Sequence, residues 1–276
     1  MTTLKEALKK RLTKKQLALV PSSFDIVGDL AIFSDFPKEL KNKEKLIAET
    51  LLKEHKNIKV VLKKTKKYSG RFRTPKLKII AGEKRKETEL KENNVSLKLN
   101  PEKAYFSVRL ATERKRIMEQ VKNNKEILVM FSGIGVYPIV IAKNQKPKTI
   151  YSIEINPYAC EYQKENILLN KINNIRLFKG DVRKIVPKLR KKFDRILMPL
   201  PRGAENYLDI ALKAAKKNSI IHFYDFLHED EFDKAKEKID FACKKSKKKY
   251  KILNLVKCGH FGPGIYRICV DFKLTS

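Results

Sequence analysis

The chain has 276 residues, 42% of them hydrophobic, which is enough to build one large α/β domain and a smaller unit and argues against a disordered tail. Its 63 Lys and Arg against 31 Asp and Glu leave a formal charge of +32, spread along the chain and not gathered in one arm. No apolar run reaches the length of a membrane span and the N-terminus has no secretory pattern, so the excess charge points to a polyanion: RNA, DNA or an anionic surface.

Residues 1–20 read as a basic amphipathic segment. The first strand pattern, Phe24 to Phe33, alternates around Gly28, and Leu46, Ile47, Thr50 and Leu51 share a face at helical spacing. A strand over 58–62 precedes the Lys-rich stretch 63–76, whose Gly70, Arg71, Arg73 and Pro75 predict a loop. Strands over 77–82 and within 86–99 complete a small α/β domain over residues 21–100. From residue 101 the pattern becomes strand–helix alternation, with strands over 127–131, 149–155, 175–179, 195–199 and 220–224 and helices between them. Crossovers of helix length predict a doubly wound parallel sheet, and two further strands around the turn 262–264 predict a C-terminal antiparallel hairpin. The four cysteines form no CxxC pair and the four histidines no HxxxH, so no metal site is expected and the thiols are expected to be reduced, as in the cytoplasm.

The residues suited to chemistry cluster at the ends of these strands. Phe131-Ser-Gly133-Ile-Gly135 forms a glycine turn between strand and helix, where the backbone can approach a ligand closely. It lacks the third glycine of a dinucleotide fingerprint, which counts against hydride transfer. Glu154 ends the next strand, placed to accept ribose hydroxyls, and Asp181 ends the one after, placed for an adenine amine. Either carboxylate alone would pass for a helix N-cap. Three such features on successive strand ends suit a nucleoside with no pyrophosphate, and S-adenosylmethionine is that ligand. Met198-Pro199-Leu200-Pro201 follows the fourth strand, in the position where methyltransferases of ring nitrogens carry an Asn-Pro or Asn-Leu-Pro sequence. Arg109 and Glu113 lie four apart in a helical stretch, the spacing of an ordinary ion pair.

Taken in order, YFSVRLATER, MFSGIG, YSIEINPYA, KENILLNKI, GDVR, MPLPRGAENYLD and IIHFYDF resemble the archaeal and eukaryotic tRNA (guanine-37 N1)-methyltransferase family and its wyosine-pathway relatives. The likeness covers roughly residues 20–276; in front of it the family usually has another small domain, of which at most a vestige is expected here. The resemblance implies a class I methyltransferase fold, S-adenosylmethionine as cofactor, the tRNA anticodon loop as partner and a monomeric enzyme. It implies Glu113 as general base, Arg109 orienting the guanine and Arg73 of the small domain reaching the base. Tyr105, Arg114, Phe131, Gly133, Glu154, Ile155, Asp181, Val182 and Pro199 are the implied cofactor contacts. Two positions depart from the family pattern: Val129 replaces an acidic residue, and Pro199 replaces the Asn of the Asn-Leu-Pro motif. The MPLP form resembles an archaeal branch that also methylates C7 of 4-demethylwyosine. Two other readings stay open at this point: a wyosine-pathway aminocarboxypropyl transferase, and a non-catalytic RNA-binding protein on a methyltransferase fold.

The charge alone generates one expectation. Affinity for tRNA should fall by about three orders of magnitude or more between roughly 50 and 200 mM salt, because each neutralised phosphate releases counterions. A salt titration of tRNA binding that stays flat over this range would contradict the polyanion reading.

Overall fold

The computed structural model describes residues 3–200 and 202–276. They fall into two compact units, the first reaching Lys91 and including Ser96–Val108, the second comprising Glu92–Val95 and Arg109–Ser276.

The first unit opens on α1 (Leu4–Leu8) and α2 (Lys14–Leu19), each started by a capping box. Thr3 accepts from the Glu6 amide and Thr13 from the Gln16 amide, while Glu6 and Gln16 return the bond to the threonine amides. Residues 3–20 are therefore structured: Leu4, Leu8, Leu12 and Val20 are buried in one cluster with Ile47 and Leu51 of α3 (Glu44–Glu54). The strand expected over 24–33 breaks into a hairpin, β1 (Asp25–Val27) and β2 (Leu30–Phe33), around Gly28 at φ 59°. A Cβ at Gly28 would lie 2.2 Å from Thr88 Oγ1, so only glycine fits this turn. Helix α3 carries the chain to β3 (Val60–Ser69), which pairs parallel to β2 and antiparallel to β4 (Thr74–Gly82). Two strands thus replace the loop expected over 63–76. Lysines mask their alternation, and Lys63 is drawn in by an ion pair with Glu44. Arg73, at φ 50°, lies in the turn between them. A second hairpin, β5 (Thr88–Glu92) and β6 (Val95–Leu99), turns through Asn93 and Asn94, both at positive φ as a tight two-residue turn requires.

The second unit is the doubly wound sheet. After a 3-10 turn at Val108–Leu110, α4 (Ala111–Glu119) leads to β7 (Glu126–Met130), α5 (Val136–Asn144), β8 (Thr149–Glu154), α6 (Pro157–Leu169), β9 (Ile175–Lys179) and α7 (Val182–Leu189). Then come β10 (Phe193–Met198), α8 (Leu208–Ala214), β11 (Ala215–His228), α9 (Asp233–Lys245), β12 (Tyr250–Gly262) and β13 (Ile265–Leu274). The strand order is β12-β13-β11-β10-β7-β8-β9. The strands from β9 to β11 run parallel, and β13 and β12 are antiparallel, as the sequence predicts for its last two strands. The order reverses between β7 and β10, so the loops after these strands open at the switch point where ligands bind in such sheets. Among the described residues no helix is long and apolar enough to cross a membrane.

One face of this sheet buries polar groups among its apolar ones. His222 of β11 and Asp271 of β13 are register partners, both fully enclosed, with Nδ1 and Oδ1 2.6 Å apart. On the other side of the ring, Nε2 lies 2.5 Å from Arg195 Nη1, and Arg195 Nη2 donates to the Gln120 carbonyl at 2.7 Å. One neutral tautomer, protonated at Nδ1, satisfies both partners. Burial lowers the His222 pKa, outweighing the raising effect of Asp271.

The unfolded chain takes up a proton at this histidine near pH 6.5, whereas the folded ring stays neutral to lower pH. Its contribution to stability is therefore fully present above about pH 6.5 and declines as the pH falls below it. Calorimetric melting from pH 7 to 5 should show this decline, with a shallower slope for His222→Gln. Parallel slopes for the two proteins would contradict a buried neutral His222.

Candidate active site

At the end of β7 the chain makes a turn with three residues at positive φ: Phe131 at 58°, Gly133 at 59° and Gly135 at 88°. The conformation costs a phenylalanine about 1 kcal/mol or more, so tertiary contacts must hold it. The Ser132 amide donates to Ile153 O at 3.0 Å, Ser132 Oγ donates to Gln163 at 2.8 Å, and the Phe131 ring meets Tyr207 edge-on at 4.9 Å. A Cβ at Gly135 would come within 2.6 Å of the Gln163 side chain, which explains that glycine by packing.

This turn is tied to the next strand end through Glu154. Its Oε2 accepts from the Gly133 amide at 2.7 Å, and its Oε1 accepts from the amides of Ile155 and Asn156 at 2.8 and 2.7 Å. A carboxylate offers about four acceptor positions, so three are taken by backbone and one remains on Oε2. Burial raises the Glu154 pKa against the pull of these three amides. Glu154 is not the cap of α6; Asn156 is, accepting from the Tyr158 amide. Asp181 does cap α7, accepting from the Arg183 amide at 2.8 Å, so the ordinary cap role holds for it. Val182 is buried in the core of the unit, and Ile155 is half-buried beside Glu154. Pro199 follows β10 in a tight turn in which the Leu200 amide donates to Met198 O at 2.7 Å. The fixed φ of proline suits the middle of a three-residue turn, giving this departure a local reason. Pro201, the last residue of the motif, lies outside the described residues. Val129 is fully buried mid-sheet, opposite Ser152 and Leu197, where an apolar side chain packs without a partner.

The second cluster is carried by α4. Arg109 is exposed in the turn preceding the helix, and Glu113 is buried in the first turn of the helix. The spacing suggests Arg109 as the ion-pair partner of Glu113, but the structure gives Glu113 a different arginine. Arg116 Nε and Nη2 reach Oε2 and Oε1 of Glu113 at 2.6 and 2.8 Å, a side-on fork. Tyr224 OH donates to Oε1 at 2.6 Å and receives from Tyr137 OH at 3.0 Å. Burial raises both tyrosine pKa values, so both hydroxyls stay protonated and donate. Three of about four acceptor positions on Glu113 are thus filled, leaving one on Oε2. The far end of Arg116 meets Asp271, with Nη1 2.5 Å from Oδ2. Burial would raise the Asp271 carboxyl, but His222 and Arg116 hold it well below the usual range. Arg114 is buried in a two-pronged ion pair with Glu92 at the tip of the β5–β6 hairpin. Tyr105 and Arg73 belong to the first unit, Tyr105 exposed in the coil after β6.

Arg116, Tyr224, Asp271 and His222 were not legible as a group from the pattern of motifs. The available signal was polar residues set inside two apolar strands, His222 with Tyr224 in IIHFYDF and Asp271 in ICVDF. His222, Asp271 and Cys269 also bring three metal-type donor atoms within 4.8 Å of one another. Two guanidinium groups press on the same atoms, and a cation would be repelled there.

Comparison with known proteins follows this geometry. A family model for the TRM5/TYW2 methyltransferase domain matches residues 88–253, and one for the TYW2 N-terminal domain matches residues 4–85. The match starts ahead of residue 20, where the resemblance is expected to begin, consistent with α1 and α2 packing into the first unit. Trm5b of Pyrococcus abyssi, a tRNA (guanine(37)-N(1))-methyltransferase, is 38% identical over 93% of this chain and 76% of its own. A crystal structure of that Trm5b superposes with a TM-score of 0.87 at 36% identity, covering 96% of this chain and 79% of the other. Taw22 of Nanoarchaeum equitans, a tRNA (guanine(37)-N(1))/4-demethylwyosine(37)-methyltransferase, is 36% identical over 91% of this chain and 99% of its own. A tRNA(Phe) (4-demethylwyosine(37)-C(7)) aminocarboxypropyltransferase of Methanocaldococcus jannaschii is 34% identical over 90% of this chain and 96% of its own. With its parallel sheet, its strand-end carboxylates and these matches over most of its length, the chain belongs to the TRM5/TYW2 methyltransferase family.

Proposed function

We propose that this protein transfers a methyl group from S-adenosylmethionine to N1 of guanosine-37 in tRNA, and also methylates C7 of 4-demethylwyosine at the same nucleotide. The observation that carries the first activity is the buried, oriented carboxylate of Glu113 in a chain similar to Trm5b over most of its length. The second rests on the likeness to Taw22 and on the MPLP sequence at Met198–Pro201. A cytoplasmic enzyme fits the four free cysteines and a tRNA substrate.

The strand-end residues fit a nucleoside sulfonium. Glu154 keeps one acceptor position on Oε2 for a ribose hydroxyl, Asp181 ends the neighbouring strand, and the Gly133 turn lets backbone approach closely. The cofactor supplies an electrophilic methyl carbon on a good leaving group. N1 of guanine bears a proton that must leave as the new N–C bond forms, and Glu113 accepts it at Oε2. Arg109 is suited to stabilise the charge that develops on O6. C7 of the tricyclic base is a carbon nucleophile and loses its proton separately, so its methylation need not share this base.

Two variants test the roles. Glu113→Gln should lower single-turnover methylation of guanosine-37 by about 10²–10⁴-fold while tRNA and cofactor still bind. A full rate would remove Glu113 from the mechanism. Glu154→Gln should weaken S-adenosylmethionine binding by about 1–3 kcal/mol in calorimetry. Glu154 is only 8% exposed and holds three amides, so the melting temperature should fall as well. Unchanged cofactor affinity would mean that the ribose lies elsewhere.

A further inference from the structure

The proposed reaction uses Glu113 and leaves a larger buried polar cluster without a role. Behind Glu113 stand Arg116, Asp271 and His222, joined by hydrogen bonds of 2.5 to 2.8 Å. Asp271 and His222 are fully enclosed, so neither can touch a substrate. Replacing such a group by apolar residues of similar shape is often neutral for stability, which makes its presence in an otherwise apolar sheet informative.

We infer that Asp271 is a positioning residue for the base: acting through Arg116, it sets the orientation and the charge environment of Glu113. The inference rests on the reading of Glu113 as the base. Two physical effects carry it. The first is direction. Arg116 is planar and rigid, and its Nε–Nη2 edge grips Glu113 while Nη1 reaches Asp271. With both edges bonded the guanidinium cannot rotate, and the open position on Oε2 of Glu113 keeps one direction. Asp271 is fixed in turn by Nδ1–H of His222, whose tautomer is set by Arg195, and by Nε2 of Gln120 at 3.3 Å.

The second effect is charge. Without Asp271, Arg116 would set a full, unshared positive charge against Glu113. Asp271 takes up part of that charge. The cluster then holds two carboxylates against two guanidinium groups, Arg116 and Arg195, with His222 neutral and near-complete local compensation. Loss of the Asp271 charge would leave Arg116 to Glu113 alone, with the charges of the cluster unbalanced and the carboxylate less well aimed.

The test compares the wild type, Asp271→Asn, Glu113→Gln and the double variant, each measured as whole protein on guanosine-37 tRNA. Asp271→Asn should lower kcat by about 10–100-fold, the scale seen when the hydrogen-bond partners of metal-bound ligands are removed. KM for tRNA and cofactor affinity should be unchanged. In the Glu113→Gln background the same substitution should cost nothing further, because there is no base left to position. Full activity of Asp271→Asn beside an impaired Glu113→Gln overturns this inference alone, and so do losses that multiply in the double variant. Full activity of Glu113→Gln instead overturns the reading of the base on which the inference stands. If Asp271→Asn does not bind cofactor, Arg116→Lys carries the test, since it keeps the charge but loses the fork. The same kcat loss and the same lack of additivity are expected there, and independent losses would overturn the proposal.

Discussion

Arg116 lies between two buried carboxylates, and the arrangement of the second unit's polar face depends on it. One guanidinium cannot fully neutralise two negative charges, so the pair is tolerable only with further donors. Tyr224 supplies one to Glu113, and His222 and Gln120 supply others to Asp271. These donors come from β11 and from Gln120, the C-cap of α4, and the acceptors from α4 and β13. Helix α4 is thereby fastened to the middle of the sheet by directional bonds and not by apolar packing alone. Burying charge costs several kcal/mol per ion, and such a cost gains only geometry. A fixed carboxylate is what abstraction of a proton from a flat heterocycle requires.

The opposite edge of the same sheet follows a similar logic with backbone in place of arginine. Glu154 gathers three amides, and through Gly133 it fixes the turn that ends β7. The strained Phe131 is held by its ring contact with Tyr207 and by the bonds of Ser132. These bonds fix the direction of the acceptor position left on Oε2.

The parallel sheet and its strand-end carboxylates were legible because β7, β8 and β10 are short, largely apolar runs, each followed by a turn and a helix. The first unit was harder to read. Strands β3 and β4 carry lysines on most outward positions, so the segment passes for a polar loop, and Gly28 hides a hairpin inside what reads as one strand. Residues 3–20 pass for a basic tail, although Thr3-x-x-Glu6 and Thr13-x-x-Gln16 are helix-start signals. In the site, helical spacing suggests Arg109 as the partner of Glu113, but the 3-10 turn at Val108–Leu110 interrupts the helix between them. Arg116, three residues further on, lies on the face of α4 turned toward Asp271 and takes the role. Bonds spanning 155 residues, as from Arg116 to Asp271, leave no local trace in a sequence.

The central claim is methyl transfer to the nucleotide at position 37, and the product distinguishes it most directly. The protein would be incubated with S-adenosylmethionine labelled in its methyl group and with tRNA carrying either guanosine or 4-demethylwyosine at that position. The nucleosides would then be identified by mass spectrometry. The expected result is label in 1-methylguanosine from the first tRNA and in a C7-methylated tricyclic nucleoside from the second. A nucleoside bearing an aminocarboxypropyl group, with the label left in methylthioadenosine, would contradict the claim, as would cofactor binding with no transfer to either tRNA.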